Sequence, residues 1–262
     1  VPFFHWCHFR ALEYAWDAPL ELRRIDWDED DPEPPQAVAV PNRMLPASYD
    51  PDELLGYRQV YAAQVCVLDA CVEVLLGWLR TSAEGRETLL VVASPRGFPL
   101  GEHLRVGAVD NALYTELTHI PLLIRFPDGL GGSDRAAALV QPSDLARTLA
   151  EWHGVPDPDD SCRTSLFPLI RGSQEAIRQC VGILGSEQES AFVTPAWYTR
   201  QSSTPELFLR PDDRWCANDV ADRCSDVVES LSKAFSDYRQ AVHLGHLNNF
   251  PALPPELLEG PD

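Results

Sequence analysis

The sequence predicts an α/β fold, a mostly parallel sheet flanked by helices, with a small α+β subdomain after it. Three patterns carry this prediction. A long helical stripe runs directly into a short, continuous apolar strand. Strand and helix signals then alternate to about residue 171. Beyond that point short strands separated by polar loops lead into one final helix. A chain of 262 residues is long enough for one large domain with an appendage. Its 45% hydrophobic and 23% charged residues are ordinary for a globular protein.

Each element has its own reason. Residues 1–9 (VPFFHWCHF) have the bulky apolar content of a buried strand, and a strand at the first position suggests that something precedes it. His5 and His8 are an odd number of positions apart, so on that strand they face opposite sides and share no metal. Residues 13–19 read as an irregular loop. The acidic, proline-rich run 26–35 lacks the glycine and ligand spacing of a calcium loop and reads as solvated surface. Over 51–80, Leu54, Val65, Leu68, Val72, Leu75, Leu76 and Leu79 form an apolar stripe at mostly helical steps. Asp50 is its N-cap and Pro51 its first residue. Gly85 follows the helix, and 88–94 (TLLVVAS) reads as a buried parallel strand. A short helix at 113–117, a strand at 121–126 and the turn Pro127-Asp128-Gly129 follow. The helix at 142–152 stops at Gly154. Strands are predicted at 180–184, 191–194 and 206–209, and the last helix at 220–242. The proline-rich end reads as a disordered tail. The domains expected are 1–172, 173–245 and a tail at 246–262.

The net charge of −19 repels phosphate backbones and anionic surfaces, so no nucleic-acid partner is expected. No stretch approaches the ~20 uninterrupted apolar residues of a membrane span. The seven cysteines, Cys7, Cys66, Cys71, Cys162, Cys180, Cys216 and Cys224, are odd in number and lack C-x-x-C spacing. They read as free thiols in a reducing compartment, the cytoplasm. No signal-like segment opens the chain. G-x-S-x-G, P-loop and dinucleotide fingerprints are absent.

An ordered series of segments then stands out. Ser94-Pro95-Arg96-Gly97 ends a strand. Leu100-Gly101-Glu102-His103, Leu113-Tyr114-Thr115-Glu116 and the run 120–127 (IPLLIRFP) follow, then 142–149 (PSDLARTL) and 165–172 (SLFPLIRG). This series resembles the sulfatase family of the alkaline phosphatase superfamily, with its "VVxTSDHG", "LGEHG", "LYEE", "VPLIIRxPG", "xVDLAPTLL" and "SLLPLLRG" segments. Residues 206–221 more loosely resemble "ELYDLxxDPxExxNLA", and 8–19 resemble "HxxxLHGPWDAP". The resemblance implies the C-terminal portion of an alkaline-phosphatase-like α/β domain.

The resemblance also implies a calcium or magnesium ion held by hard oxygen ligands, and a formylglycine nucleophile made from a C/S-x-P/A-x-R motif. Neither set is intact. Pro95 stands at the Asp ligand position and Arg96 at the His or Asn position. Glu13 replaces a site histidine and Ala108 a site lysine. Proline has no ligating side chain, and arginine brings a permanent cation. The chain therefore reads as a non-catalytic homologue without a metal cofactor, able at most to bind a small anion or a protein. Arg96 with His103 and Arg105 is the candidate anion pocket; Arg96 paired with Glu102 is the plainer reading. The alternative is a sulfuric ester hydrolase of arylsulfatase type, whose nucleophile and paired aspartates lie upstream. A truncated gene product without independent function is a third reading.

Overall fold

The structure, a computed structural model, describes residues 3–10, 12–107, 112–156, 163–186, 188–245, 247 and 250–260. Ala108 and Cys162 lie outside the described residues. In chain order the elements are α1 (Leu20–Arg23), β1 (Arg43–Met44), α2 (Pro51–Thr81), α3 (Ala83–Arg86), β2 (Leu90–Ala93), β3 (Arg105–Val106), α4 (Thr115–Thr118) and β4 (Leu122–Arg125). Then come α5 (Pro142–His153), α6 (Phe167–Ile170), β5 (Val181–Leu184), β6 (Ser190–Val193), β7 (Trp197–Gln201), β8 (Glu206–Leu209), α7 (Ser225–His243) and α8 (Pro255–Leu258). Chain contacts divide them into two compact units, 1–88 with 98–110, and 89–97 with 111–262. The boundary expected near 172 falls inside the second unit.

The first unit is organised by α2. Asp50 caps it, its carboxylate accepting from the Asp52 amide at 3.0 Å, and Pro51 opens the first turn where a missing N–H costs nothing. Leu54, Val60 and Ala63 on its N-terminal half are buried, and Leu54 packs with Leu45 and Val106. Trp16, Tyr61 and Phe98 form an aromatic trio with centroids 5.3–5.7 Å apart. The C-terminal half is different: Leu79 is buried, but Val74 and Trp78 are exposed. By length and composition α2 could cross a membrane, which narrows the expectation of no span. Its average is apolar enough although Asp69 and Glu73 interrupt the run. Ser82, whose hydroxyl accepts from the Gly85 amide, starts the short α3, so Gly85 sits within a helical turn rather than closing α2. The strand expected at the N-terminus is not formed. Residues 3–10 have no regular structure, and Phe3, Phe4 and Trp6 are exposed. Bulky apolar residues make a strand only when a neighbouring strand takes up their backbone N–H and C=O groups.

In the second unit β2 pairs antiparallel with β4, Leu90 opposite Arg125 and Ala93 opposite Leu122. Every pairing among the described strands is antiparallel, which corrects the reading of 88–94 as a parallel strand while the expected α/β class stands. The continuous apolar run at 89–93 had suggested burial on both faces, but Val92 and Ala93 are exposed.

Helix α5 starts with a reciprocal cap between Gln141 and Asp144 and ends at Gly154, whose φ of 63° suits glycine. Strands β5 to β8 form an antiparallel meander covered on both faces. Alternation sorts its residues. Phe192, Trp197 and Leu207 face a core shared with Leu231 and Phe235 of α7, while Val193, Tyr198 and Phe208 face Leu113 and Tyr114. The tail expected to be disordered contributes instead to this core. Leu253 and Leu257 are buried there, and the Trp197 indole donates to the Glu256 carbonyl at 2.9 Å. Prolines there set a short helix start rather than loose chain.

Candidate functional site

The candidate site is built on the end of β2. The strand stops because Pro95 cannot donate to the ladder. The Ser94 hydroxyl donates to the Arg96 carbonyl at 2.6 Å, closing a tight turn. Gly97 then donates to the Leu117 carbonyl at 2.8 Å. A Cβ at Gly97 would stand 1.9 Å from the Glu116 carbonyl oxygen, so only glycine allows this approach. The backbone frame that ties the strand end to the Tyr114–Thr118 turn is complete. The two side chains it presents, Pro95 and Arg96, are exposed.

Glu102, His103 and Arg105 belong to the other unit. Glu102 accepts from the Leu100 amide at 2.5 Å, so the carboxylate is spent on its own turn. Arg105 donates to the His103 carbonyl at 2.8 Å. His103 and Leu104 hold left-handed φ angles of 50° and 60°. Leu104 stands where "LGEHG" has its second glycine, and a leucine in that conformation costs about 1–2 kcal/mol. This turn therefore holds its backbone at the expense of strain. Glu13 also lies in this unit. It is exposed and accepts from Arg10 at 2.7 Å and from His8 at 3.4 Å. The Arg10 hydrogen bond holds its carboxyl below the usual range, so it is an anion at neutral pH.

The implied divalent cation can be judged on these donors. Pro95 offers no oxygen and Arg96 only a fixed positive charge, so the β2 end does not fit a cation. Among the described residues no group of three or more His, Cys, Asp or Glu side chains is placed to hold a metal ion.

The chemically dense part of the second unit is structural. Asp144 is fully buried, and both its oxygens accept from Arg178, at 2.5 and 2.6 Å. They also accept from the Gln141 and Thr164 amides. Arg200 is held between Glu189 and Glu206 and donates to the Tyr114 hydroxyl at 2.7 Å. Burial alone would lower its pKa, but the Glu189 hydrogen bond and the charges around it raise it instead. Arg178 and Arg200 were not singled out in the sequence. Tyr114 and Glu206 lie in noted segments, but their arginine partner sits on β7, whose alternation of Trp197, Tyr198 and Thr199 was the overlooked strand signal.

Comparison with known proteins agrees with this frame. Residues 13–155 match the family model described as Sulfatase. Over 115 residues the chain is 33% identical to an N-acetylglucosamine-6-O-sulfatase of Bacteroides thetaiotaomicron, covering 44% of this chain and 20% of that protein. It is 27% identical over 130 residues to the multifunctional alkaline phosphatase superfamily protein PehA of Trinickia caryophylli, covering 47% and 24%. The structure of a 2-O GAG sulfatase aligns at a TM-score of 0.66 and 17% identity, over 92% of this chain and 53% of that one. A phosphonate monoester hydrolase of Agrobacterium radiobacter aligns at 0.63 and 16%, over 76% and 44%. These neighbours share the alkaline-phosphatase-like α/β fold. The chain spans a third or less of the curated relatives and about half of the solved ones.

Proposed function

This chain belongs to the sulfatase family, and from that premise we propose that it keeps the family's frame without its metal-dependent chemistry, as a non-catalytic homologue. One observation carries the reading. At the β2 end the residues that hold the backbone in place are retained, Gly97 above all, while the two side chains presented there are a proline and an arginine. Loss of the frame as well would suggest general decay. Loss of the ligand positions alone suggests a site released from cation binding. Glu13 and Ala108 depart from the same pattern independently.

What such a protein binds is suggested by its relatives. Two are named for sulfated sugars, an N-acetylglucosamine-6-O-sulfatase and a delta 4,5-hexuronate-2-O-sulfatase. A small anion at exposed Arg96 is the corresponding ligand class here.

The test is an assay of the intact protein with 4-nitrophenyl sulfate, with and without calcium or magnesium. No turnover above buffer is expected. Metal-dependent hydrolysis would overturn the reading in favour of an esterase whose remaining ligands lie upstream. Inorganic sulfate titrated by calorimetry should bind more weakly to Arg96→Ala; equal binding removes Arg96 from the anion role.

A further inference from the structure

The two edges of the β5–β8 meander are finished differently. The Gly185 amide donates to the Glu189 carbonyl at 3.0 Å across the β5–β6 turn, and the register runs on to Ile183 with Ala191 and Val181 with Val193. By alternation those residues turn their N–H and C=O groups to β6, and Gly182 and Leu184 turn theirs outward. At the opposite edge the outward residues are Leu207 and Leu209, and their groups are taken up. The Leu207 amide donates to the Asp219 carboxylate at 3.0 Å, and its carbonyl accepts from the Val220 amide at 2.8 Å. The Leu209 carbonyl accepts from the Asp213 amide at 2.9 Å. Among the described residues nothing does the same for Gly182 or Leu184. An edge strand left in this state is a template for one more strand.

Helix α7 overhangs that bare edge. The Gln201 side-chain amide of β7 donates to Ser232 Oγ at 3.3 Å. The Phe192 ring of β6 lies 5.3 Å from the Phe235 ring, centroid to centroid. A Cβ on Gly182 of β5 would stand 2.4 Å from the Tyr238 ring. Each turn of the helix is therefore one strand nearer the β5 edge. The next turn, with Val242 and His243, comes after β5, the last strand of the sheet on that side. Leu184 and this turn line one cleft of about 890 Å³. Leu184, Phe235 and Val242 give it an apolar strip. Arg239 and His243, one helical turn apart, are exposed beside that strip, and among the described residues neither side chain has a hydrogen bond or an ion pair. The protein carries 40 acidic residues and a net charge of −19, yet no described lining residue is acidic.

We propose that the β5 edge takes up an extended peptide as a fifth strand, one that carries an apolar residue and a carboxylate two positions apart. Such a strand exchanges hydrogen bonds with the outward backbone groups of Gly182 and Leu184. Its residues i and i+2 face α7 together. The apolar one meets Leu184 and Val242, and the carboxylate meets the Arg239 guanidinium. The local charge is opposite to that of the chain, which favours an acidic segment over a basic one. The β5 strand of a second copy fits less well, because Val181–Leu184 brings no carboxylate to Arg239.

Calorimetry on the full chain tests it, with the peptide acetyl-SVTVTDTS-amide and its asparagine analogue acetyl-SVTVTNTS-amide as probes. Saturable binding of the first is expected, about tenfold tighter than the second. Arg239→Ala should weaken the first about tenfold and leave the second unchanged, a difference that a general loss of stability would not produce. Leu184→Pro removes an outward donor and spares the ladder to β6, so it should abolish binding of both peptides with the thermal melt retained. Should that variant unfold, the Arg239→Ala titrations decide alone. The proposal is overturned if the first peptide does not bind, if the asparagine analogue binds equally well, or if a folded Leu184→Pro binds like the parent. A parent that is dimeric by light scattering, with a monomeric Leu184→Pro, would assign the edge to a second copy and overturn the proposal too.

Discussion

The β5–β8 meander and the β2–β4 pair are both antiparallel and both rich in apolar residues, yet their surroundings differ. The meander is sandwiched. Phe192 and Leu207 meet α7 and the chain's last helix on one side, and Val193 and Phe208 meet the Leu113–Tyr114 segment on the other. The β2–β4 pair leaves Val92 and Leu123 exposed, Leu123 at 60%. Apolar content alone therefore does not make a core. Burial needs covering elements, and among the described residues the meander has them on both faces while the Val92–Leu123 side of the β2–β4 pair does not. Stability should follow the same division.

The largest effect is expected where the meander is tied to α5. Asp144→Ala would leave Arg178 without its buried partner and free two backbone amides, a change worth about 3–5 kcal/mol. Leu231→Ala, at a fully buried position of α7, should cost about 2–5 kcal/mol through lost contacts and a cavity. Urea denaturation followed by tryptophan fluorescence measures both, since Trp197 lies in the affected core. A loss under 1 kcal/mol in either variant would mean that this region does not carry the fold.

Much of the fold was legible in the sequence, for identifiable reasons, although the exposure of the β2–β4 pair was not. Helices α2, α5 and α7 are long enough for their stripes and caps to show, as Asp50 and Gly154 illustrate. Strand β7 was missed although Trp197, Tyr198 and Thr199 have strand-forming character. Its neighbouring turn signals dominated the local pattern. The pairing direction of β2 was not legible, because a run of apolar residues is equally consistent with either neighbour. At the site, the identities of Pro95 and Arg96 could be read directly. The close approach that fixes Gly97, and the left-handed turn at His103 and Leu104, depend on backbone geometry that no single residue announces. Arg178 and Arg200 depend on partners 34 and 6 to 86 positions away, so only the folded chain shows them.

A smaller effect separates the two regions by pH. Burial pushes the Cys216 thiol up to about 11 and the Cys180 thiol up to about 12. Both belong to the packed cores of the second unit. An unfolded thiol titrates near ~8.5, so above that pH the unfolded chain releases protons that the native chain retains. The contribution is therefore full below ~8.5 and is lost as pH rises through about 11. Melting temperature should fall between pH 8.5 and 10.5 by this route (approximate window). The double variant Cys180→Ala, Cys216→Ala should show a shallower decline. Exposed Cys7 and Cys71 should meanwhile react with iodoacetamide well before the buried pair.

The smallest expected effect is the sharpest test of the comparison. Leu123→Ser removes an apolar side chain from the exposed face of the β2–β4 pair. If that face is solvated in the isolated chain, the substitution sacrifices little transfer free energy, and stability should change by no more than about 0.5 kcal/mol. Solubility should rise, because an exposed apolar patch favours association. A loss of about 2 kcal/mol would contradict solvation, since that is the scale for burying a leucine. Repeating the denaturation over a range of protein concentrations then locates the cause. A stability that rises with concentration would place the cover in a second copy, by mass action. A concentration-independent loss would place it within the chain itself, and the two regions would no longer differ in the way their exposed residues indicate.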